Sequence, residues 1–332
     1  MRLRLRALAF GGLLLVVPAA CTPDVGVFVT RAGAGTGGTA AGIAAEARAL
    51  GVHTLRVTAD LSRPSTLMLA QQLRSMGFDI VLTTRANDLG PNGATMPLDA
   101  AGLTAFRTQL ADAIDTVHPR WVMVENEETA PKFYAGTAAQ YLDELRAAID
   151  VGHAHGIRVT DGGITNFPIA LVVWDQLRTA HDPGANDYLR GSVGRLGLQR
   201  KVEQLIADPS LLQTDPVAAA AFANARALIT GFRGSGLDAA DFHWYGPSAV
   251  ALGKTVEGYN RLTDLPIVTT EIGQYDGNPA TVTEFLDVLT AHHVRLVQWF
   301  DTDGDPAVGL HDAPGVLRPN GVAFADWTRT HR

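Results

Sequence analysis

Cysteine occurs once in the 332-residue chain, at Cys21, so no disulfide can form within it and stability must come from a buried core. Cations are also short, with 27 Lys and Arg against 34 Asp and Glu, a net charge of −7, and no basic stripe along any candidate helix. That excludes a nucleic-acid partner, because such binding requires phosphates to be neutralised. Charged residues make up 18% against 46% hydrophobic, a balance that excludes disorder and fits a large core. No G-x-S-x-G nucleophile elbow is present; two residues before Ser235 stands Arg233. Histidines at metal-binding spacing are missing as well: His153 and His155 fall on different faces of a helix, and His292 and His293 are adjacent.

The N-terminus reads as an export signal. Arg2, Arg4 and Arg6 give a basic start, residues 8–17 an apolar stretch, and Ala19 and Ala20 the small residues before cleavage. The apolar stretch is shorter than the roughly 20 residues of a spanning helix. Cys21 follows at once, and the segment resembles a bacterial lipoprotein signal, in which that cysteine becomes the lipidated first residue. Pro18 stands where an aliphatic residue is usual, so plain secretion is the other outcome. A signal peptide over 1–20 and a mature chain over 21–332 are expected, exported to the cell envelope or beyond. Any membrane contact would be through the lipid.

What the chain has in quantity is alternation. Strand-like segments are VGVFV (25–29), HTLRVTA (53–59), FDIVLTT (78–84), RWVMVEN (120–126), IRVTDGG (157–163), ADFHWYG (240–246), PIVTTEI (266–272) and VRLVQWF (294–300). Between them run Ala- and Leu-rich stretches, such as 137–156, where Ala139, Leu142, Leu145, Ala148 and Ile149 recur at helical spacing. Gly51, Gly77 and Gly156 stand where helices should stop. Eight such repeats imply a parallel sheet, and the absence of a composition break favours closure into a single (β/α)8 barrel. Residues 174–233 are the exception, and read as an elaborated helical crossover over the catalytic face between strands 5 and 6.

In such a barrel the loops after the strands converge on one mouth, so polar residues late on strands carry the chemistry. These are Arg56, Asn126, Glu127, Glu128, Asp161, His243, Tyr245, Glu271, Gln274, Trp299, Asp301 and Asp303. Glu127 and Glu271 end the fourth and seventh strands. Glycosidic cleavage needs two carboxyl groups, one to protonate the leaving oxygen and one to attack or to activate water.

The segments VMVENEE, DFHWYG, VTTEIG and LVQWF, in that order along the chain, resemble glycoside hydrolase clan A, the retaining barrel glycosidases that include families 39 and 5. The resemblance implies that Glu127 is the acid/base, Glu271 the nucleophile, and that Asn126 bonds the sugar 2-hydroxyl. It implies further that Tyr245 bonds Glu271, His243 lines the pocket, Trp299 is a stacking floor and Arg56 holds Glu271 ionised. Glu127 should then have a raised pKa. A monomer acting on carbohydrate, without cofactor or metal, is expected.

Other readings stay open. Glu128 stands where the clan usually has proline, so Glu125, Glu127 and Glu128 compete for the mouth. Alternation puts Glu125 and Glu127 on one face, with Glu125 a layer deeper in the barrel. A carboxylate buried there is costly unless paired, which selects Glu127. His243 can equally be a packing residue; for Trp299 packing is the alternative, but the flanking Gln298 and Asp301 favour a sugar platform. A barrel that binds polysaccharide without cleaving it is the rival function. Gly33, Gly35 and Gly38 spell G-x-G-x-x-G, with Asp60 ending the next strand, as in dinucleotide-dependent oxidoreductases. The glycines begin too far past the strand for that fold, and the C-terminal half shows no sign of a separate substrate domain. Residues 301–312 space acids like a calcium loop, but Pro306 and Asp312 replace the required Gly and Glu, so the segment is read as an acidic rim.

Overall fold

Each of the eight segments forms a strand: β1 (Asp24–Thr30), β2 (Thr54–Asp60), β3 (Asp79–Arg85), β4 (Trp121–Val124), β5 (Arg158–Thr160), β6 (Ala240–Trp244), β7 (Ile267–Ile272) and β8 (Leu296–Thr302). This computed structural model describes residues 22–30, 38–86, 93–194, 196–302 and 308–331. The segment expected to be an export signal, with Cys21, the glycines Gly33 and Gly35, and Asp303 lie outside the described residues.

The strands pair in the order β5-β4-β3-β2-β1-β8-β7-β6. Parallel bridges from Thr160 to Ala239 and from Ile164 to Phe242 join the two ends of the series. Val27 lies opposite Trp299, and Phe28 opposite Phe300. The architecture is a (β/α)8 barrel.

Helices α1 (Ala40–Leu50), α2 (Met68–Ser75), α3 (Ala100–Val117) and α4 (Ala138–Ala154) follow the first four strands. Between β5 and β6 come α5 (Asn166–Thr179), α6 (Ala185–Ser192), α7 (Leu196–Ala207), α8 (Leu211–Thr214) and α9 (Pro216–Phe232). The last three are α10 (Ala249–Thr263), α11 (Pro279–Ala291) and α12 (Pro319–Thr330). Thr137 and Gln140 form a reciprocal capping box at the start of α4. Gly51, Gly77 and Gly156 take left-handed φ values of 73°, 93° and 70°. After α3 and α10, however, His118 and Asp264 occupy that conformation, with φ of 50° and 59°. Those helix ends carry no glycine signal.

The expected crossover only grazes the catalytic face. α9 packs against α4 and α5 on the barrel flank, because Phe222, Leu228 and Phe232 bury one side of it there. Among the described residues of 174–233, Val193, Gly194 and Leu198 reach the mouth.

Alternation divides the strands between two cores. Val81, Trp121, Ala239, Val268 and Leu296 plug the barrel floor, and a larger core fills the space between sheet and helices. Gly26 makes room for Gln298 inside the barrel: a Cβ there would lie 2.2 Å from the Thr54 carbonyl oxygen and 2.6 Å from Gln298 Nε2. β7 breaks the alternation. From Val268 to Glu271 it takes three steps while β6 takes two, from Asp241 to His243. From Thr269 to Ile272 it again takes three against two on β8, from Val297 to Trp299. This bulge turns both Thr270 and Glu271 into the barrel.

Candidate active site

Above the floor plug, the strand ends enclose a cavity of about 630 Å³, lined among others by Phe28, Arg85, Asn126, Glu127, Lys132, His243, Tyr245, Glu271 and Phe300. Its volume is that of an ordinary small-molecule site.

The centre is organised by Arg56, which is 3% exposed. Its Nη1 donates to Glu271 Oε2 and to the Thr270 carbonyl oxygen, both at 2.9 Å. Nε donates to Thr83 Oγ1 at 2.9 Å, and Nη2 donates to Asn126 Oδ1. The guanidinium carbon lies 4.1 Å from the Phe28 ring centroid, a cation–π contact that closes its lower face. Tyr245 donates its hydroxyl to the other oxygen of Glu271 at 2.8 Å. Burial and the negative charge of Glu271 push the Tyr245 phenol well above its ordinary value, which keeps it a donor.

β4 stops at Val124, and the next residues do not alternate as a strand. Glu125 and Glu127 both take left-handed φ, 62° and 47°. Such conformations cost a non-glycine residue about 1–2 kcal/mol, and they recur at functional sites. The turn is held by Glu125 N–H on the Thr84 carbonyl at 2.8 Å and Glu127 N–H on the Gly162 carbonyl at 2.7 Å. Glu127 consequently faces the cavity beside Asn126. Glu125 does not lie a layer deeper in the barrel, as alternation implied. Its Oε1 accepts the Ala86 N–H at 2.7 Å, and it is buried near Thr95 and Glu144.

His243 joins the two carboxylates. Its Nδ1 is 3.1 Å from Glu127 Oε1 and 4.0 Å from Glu271 Oε2. One oxygen of each glutamate and a ring nitrogen of His243 lie within 4.8 Å of one another. Lys132 Nζ is 3.9 Å from Glu127 Oε2. Against the expectation of a raised value, the Glu127 carboxyl is lowered: burial works to raise it, but the hydrogen bond and charge of His243, then Lys132 and Arg56, outweigh burial. His243 is raised above its ordinary value: burial opposes its charge, and Glu271, Glu127 and Asp241 prevail.

Trp299 does not line the mouth. It is fully buried, with its ring 6.4 Å from Phe285 and 5.8 Å from Phe324, in the layer between barrel and helices. Its neighbour Phe300 faces the cavity instead, 5.8 Å from Phe28 and 6.1 Å from Tyr245. Asp301 shares Trp299's outward side and is no rim acid. It accepts the Leu310 N–H at 2.7 Å and contacts His311 Nδ1 at 2.5 Å. Asp60, the acid of the dinucleotide pattern, is engaged by Ser62 and Arg63.

Beneath the site lies a buried acid set, of which the sequence pattern placed Glu128 and Asp161 at strand ends and overlooked Asp241. Burial pushes the Glu128 carboxyl up to about 8, and raises Asp161 well above its ordinary range with the charge of Glu128 adding to the effect. Asp241 is raised to about 6, mainly by burial. Alternation from His243 would have placed Asp241 inside the barrel, but it is not at a strand end. The oxygens and nitrogen of Glu127, His243 and Glu271 are close enough for a metal ion. Arg56 and Tyr245 already occupy both oxygens of Glu271, so this donor set reads as a proton network. Glu46, Asp301 and His311 form a second close group, in which His311 Nδ1 is taken up by Asp301.

Neither a protein-family model nor a curated protein matches the chain. Solved structures do. A β-glycosidase is 14% identical with a TM-score of 0.55, over 88% of this chain and 85% of that one. A family 39 glycoside hydrolase from Bacteroides cellulosilyticus is 14% identical with a TM-score of 0.53, over 92% of this chain and 63% of that one. A family 128 exo-β-1,3-glucanase from Aureobasidium namibiae is 10% identical with a TM-score of 0.51, over 92% and 96%. At such identities the likeness is one of fold.

Proposed function

We propose that the protein is a retaining glycoside hydrolase in which Glu271 is the nucleophile and Glu127 the acid/base. The observation that carries the reading is the approach of the two carboxylates across one cavity, with oxygens within 4.8 Å. A retaining pair stands about 5–5.5 Å apart, whereas an inverting pair leaves about 6.5–9.5 Å for a water. Glu271, with its oxygens fixed by Arg56 and Tyr245, attacks the anomeric carbon. Glu127 protonates the departing oxygen, then takes a proton from the water that releases the sugar. Phe300 supplies the apolar face against which a ring stacks, and Asn126, oriented by Arg56, meets the sugar hydroxyl next to the anomeric carbon.

The test is a panel of aryl glycosides and polysaccharides. β-1,3-Glucan belongs in it because one structural neighbour is described as acting on that linkage. Proton NMR of the first-formed sugar should show the substrate's anomer. Release of the opposite anomer would contradict the reading, and binding without turnover of any glycan would favour a carbohydrate-binding barrel. We propose also, from residues 2–21, that the protein is exported and lipidated at Cys21. Wild-type protein should partition with membranes, and Cys21→Ser should be released or left unprocessed.

A further inference from the structure

The hydrogen bonds around His243 fix its Nε2 proton, and the charge of Glu127, whose carboxyl is lowered, decides Nδ1. Thr270 Oγ1 donates its only proton to Asp241 Oδ2, and Asp241 Oδ1 accepts the Thr270 N–H at 2.9 Å. The Met123 sulfur, 3.2 Å from the same hydroxyl, is a far weaker acceptor than a carboxylate. The Thr270 oxygen, 3.3 Å from His243 Nε2, can therefore only accept from that nitrogen. Glu127 Oε1, as a carboxylate, can only accept from Nδ1. Both ring nitrogens then carry hydrogen.

Charge agrees with this placement. Glu127 on the β4 turn, Glu271 on β7 and Asp241 on β6 face the ring at 3.1, 4.0 and 4.0 Å. Arg56 on β2 and Lys132 beside Glu127 are the cations of the set. Glu128 and Asp161, toward β5, are held toward their neutral forms by burial, and Tyr245 is neutral. Arg56 and Lys132 are the cations in ion-pair contact with this trio, and an imidazolium at His243 supplies the third positive charge there; Arg85 also lines the cavity but pairs with none of the three. Gly163 lets the ring sit there, since a Cβ at that position would lie 2.3 Å from Nε2.

We infer that Asp241, acting through the Thr270 hydroxyl, is a positioning residue that keeps His243 an imidazolium, so that the proton for the leaving oxygen is held by the His243–Glu127 pair rather than by Glu127 alone. The step rests on the glycosidase reading. The Nδ1–H bond breaks as an O–H bond forms on Glu127, leaving neutral imidazole with Nε2–H on Thr270. Glu127 passes that proton to the glycosidic oxygen as the C–O bond breaks and Glu271 bonds the anomeric carbon. In the second half, water gives its proton to Glu127, which returns it to Nδ1.

The experiment is ring NMR titration of His243 in the full chain, its signals assigned by loss in His243→Asn. In the wild type the ring should stay protonated above the ordinary histidine midpoint near 6.5. Asp241→Asn removes the charge and reverses the Thr270 hydroxyl, and the midpoint should fall by at least about one pH unit. Thr270→Val should also lower it, while Thr270→Ser should restore it; this pair serves if Asp241→Asn does not fold. On a glycoside with a poor leaving group, the alkaline limb of kcat/KM should move down with the midpoint. A wild-type ring titrating near 6.5, or one midpoint shared by wild type, Asp241→Asn and Thr270→Val, would overturn the inference. Absence of turnover with the shifts present would instead count against the glycosidase reading and leave the Asp241–Thr270–His243 linkage standing.

Discussion

Arg56 is the residue on which the rest of the site hangs, because one guanidinium orients Asn126 from β4's turn and Glu271 from β7. Lysine keeps the charge but cannot hold both at once, nor the Thr83 bond. Arg56→Lys should therefore lower kcat/KM by roughly 10- to 100-fold, the loss of one charge-assisted bond of about 1.5–3 kcal/mol. An unchanged kcat/KM in a folded Arg56→Lys protein would show that Glu271 does not depend on the fork. Glu127, His243, Tyr245 and Glu271 were legible because each is a polar residue at or near the end of a strand, and Arg56, the third residue of β2, because the resemblance pointed to it. The resting protonation of Glu127 was not legible, since it depends on a histidine from β6 coming within 3.1 Å. Asp241 and Thr270 were missed for a related reason: their role lies in a hydrogen-bond direction, and nothing in spacing encodes it.

At the scale of elements, strand parity decides which aromatic meets the ligand. β8 pairs with β1 so that Phe28 and Phe300 share the inside while Trp299 points out. Trp299→Ala should lower stability by about 3–5 kcal/mol through the void it leaves against Phe285 and Phe324, with KM of the folded fraction unchanged. Phe300→Ala should do the reverse: little loss of stability, and a KM raised roughly tenfold as a stacking face worth about 0.5–1.5 kcal/mol beyond its area disappears. Urea midpoints and steady-state kinetics on the two variants separate the assignments, and a KM effect confined to Trp299→Ala would reverse them. The two sequence errors at this scale have different origins. Trp299 was taken from the resemblance, although regular alternation along β8 turns it outward. Glu125 was placed by a parity that does not hold, since β4 gives way to two left-handed residues at Glu125 and Glu127, and β7 breaks parity again at its bulge. Neither break involves a glycine or proline that could have announced it.

Over the whole molecule, the eight-fold alternation was enough to give the barrel, since every strand segment repeats one hydrophobic pattern and each must be covered by a helix. The acids buried beneath the mouth shape how that barrel responds to pH. Glu128 has a folded value of about 8, above its ordinary 4.5. A group raised in this way contributes stability that is fully present below about 4.5 and is lost as pH rises toward 8. His243, also raised, acts in the same sense from its ordinary midpoint upward. Unfolding stability should therefore decline from mildly acidic to alkaline pH, at up to about 1.4 kcal/mol per pH unit for each such group. Glu128→Gln should flatten that slope, gaining on the wild type at pH 8 relative to pH 5 in parallel denaturation series. A variant that tracks the wild type across that range would show Glu128 to be ionised in the fold.

The central claim is that Glu271 forms a bond to sugar, and covalent trapping tests it most directly. A 2-deoxy-2-fluoro glycoside with a good leaving group, built on whichever sugar the aryl-glycoside panel selects, forms the glycosyl intermediate but loses it slowly. Intact mass should rise by one fluoroglycosyl unit, with the adduct on the peptide that carries Glu271 and absent from Glu271→Gln. Turnover of the parent glycoside with no adduct, or an adduct on another carboxylate, would contradict the account.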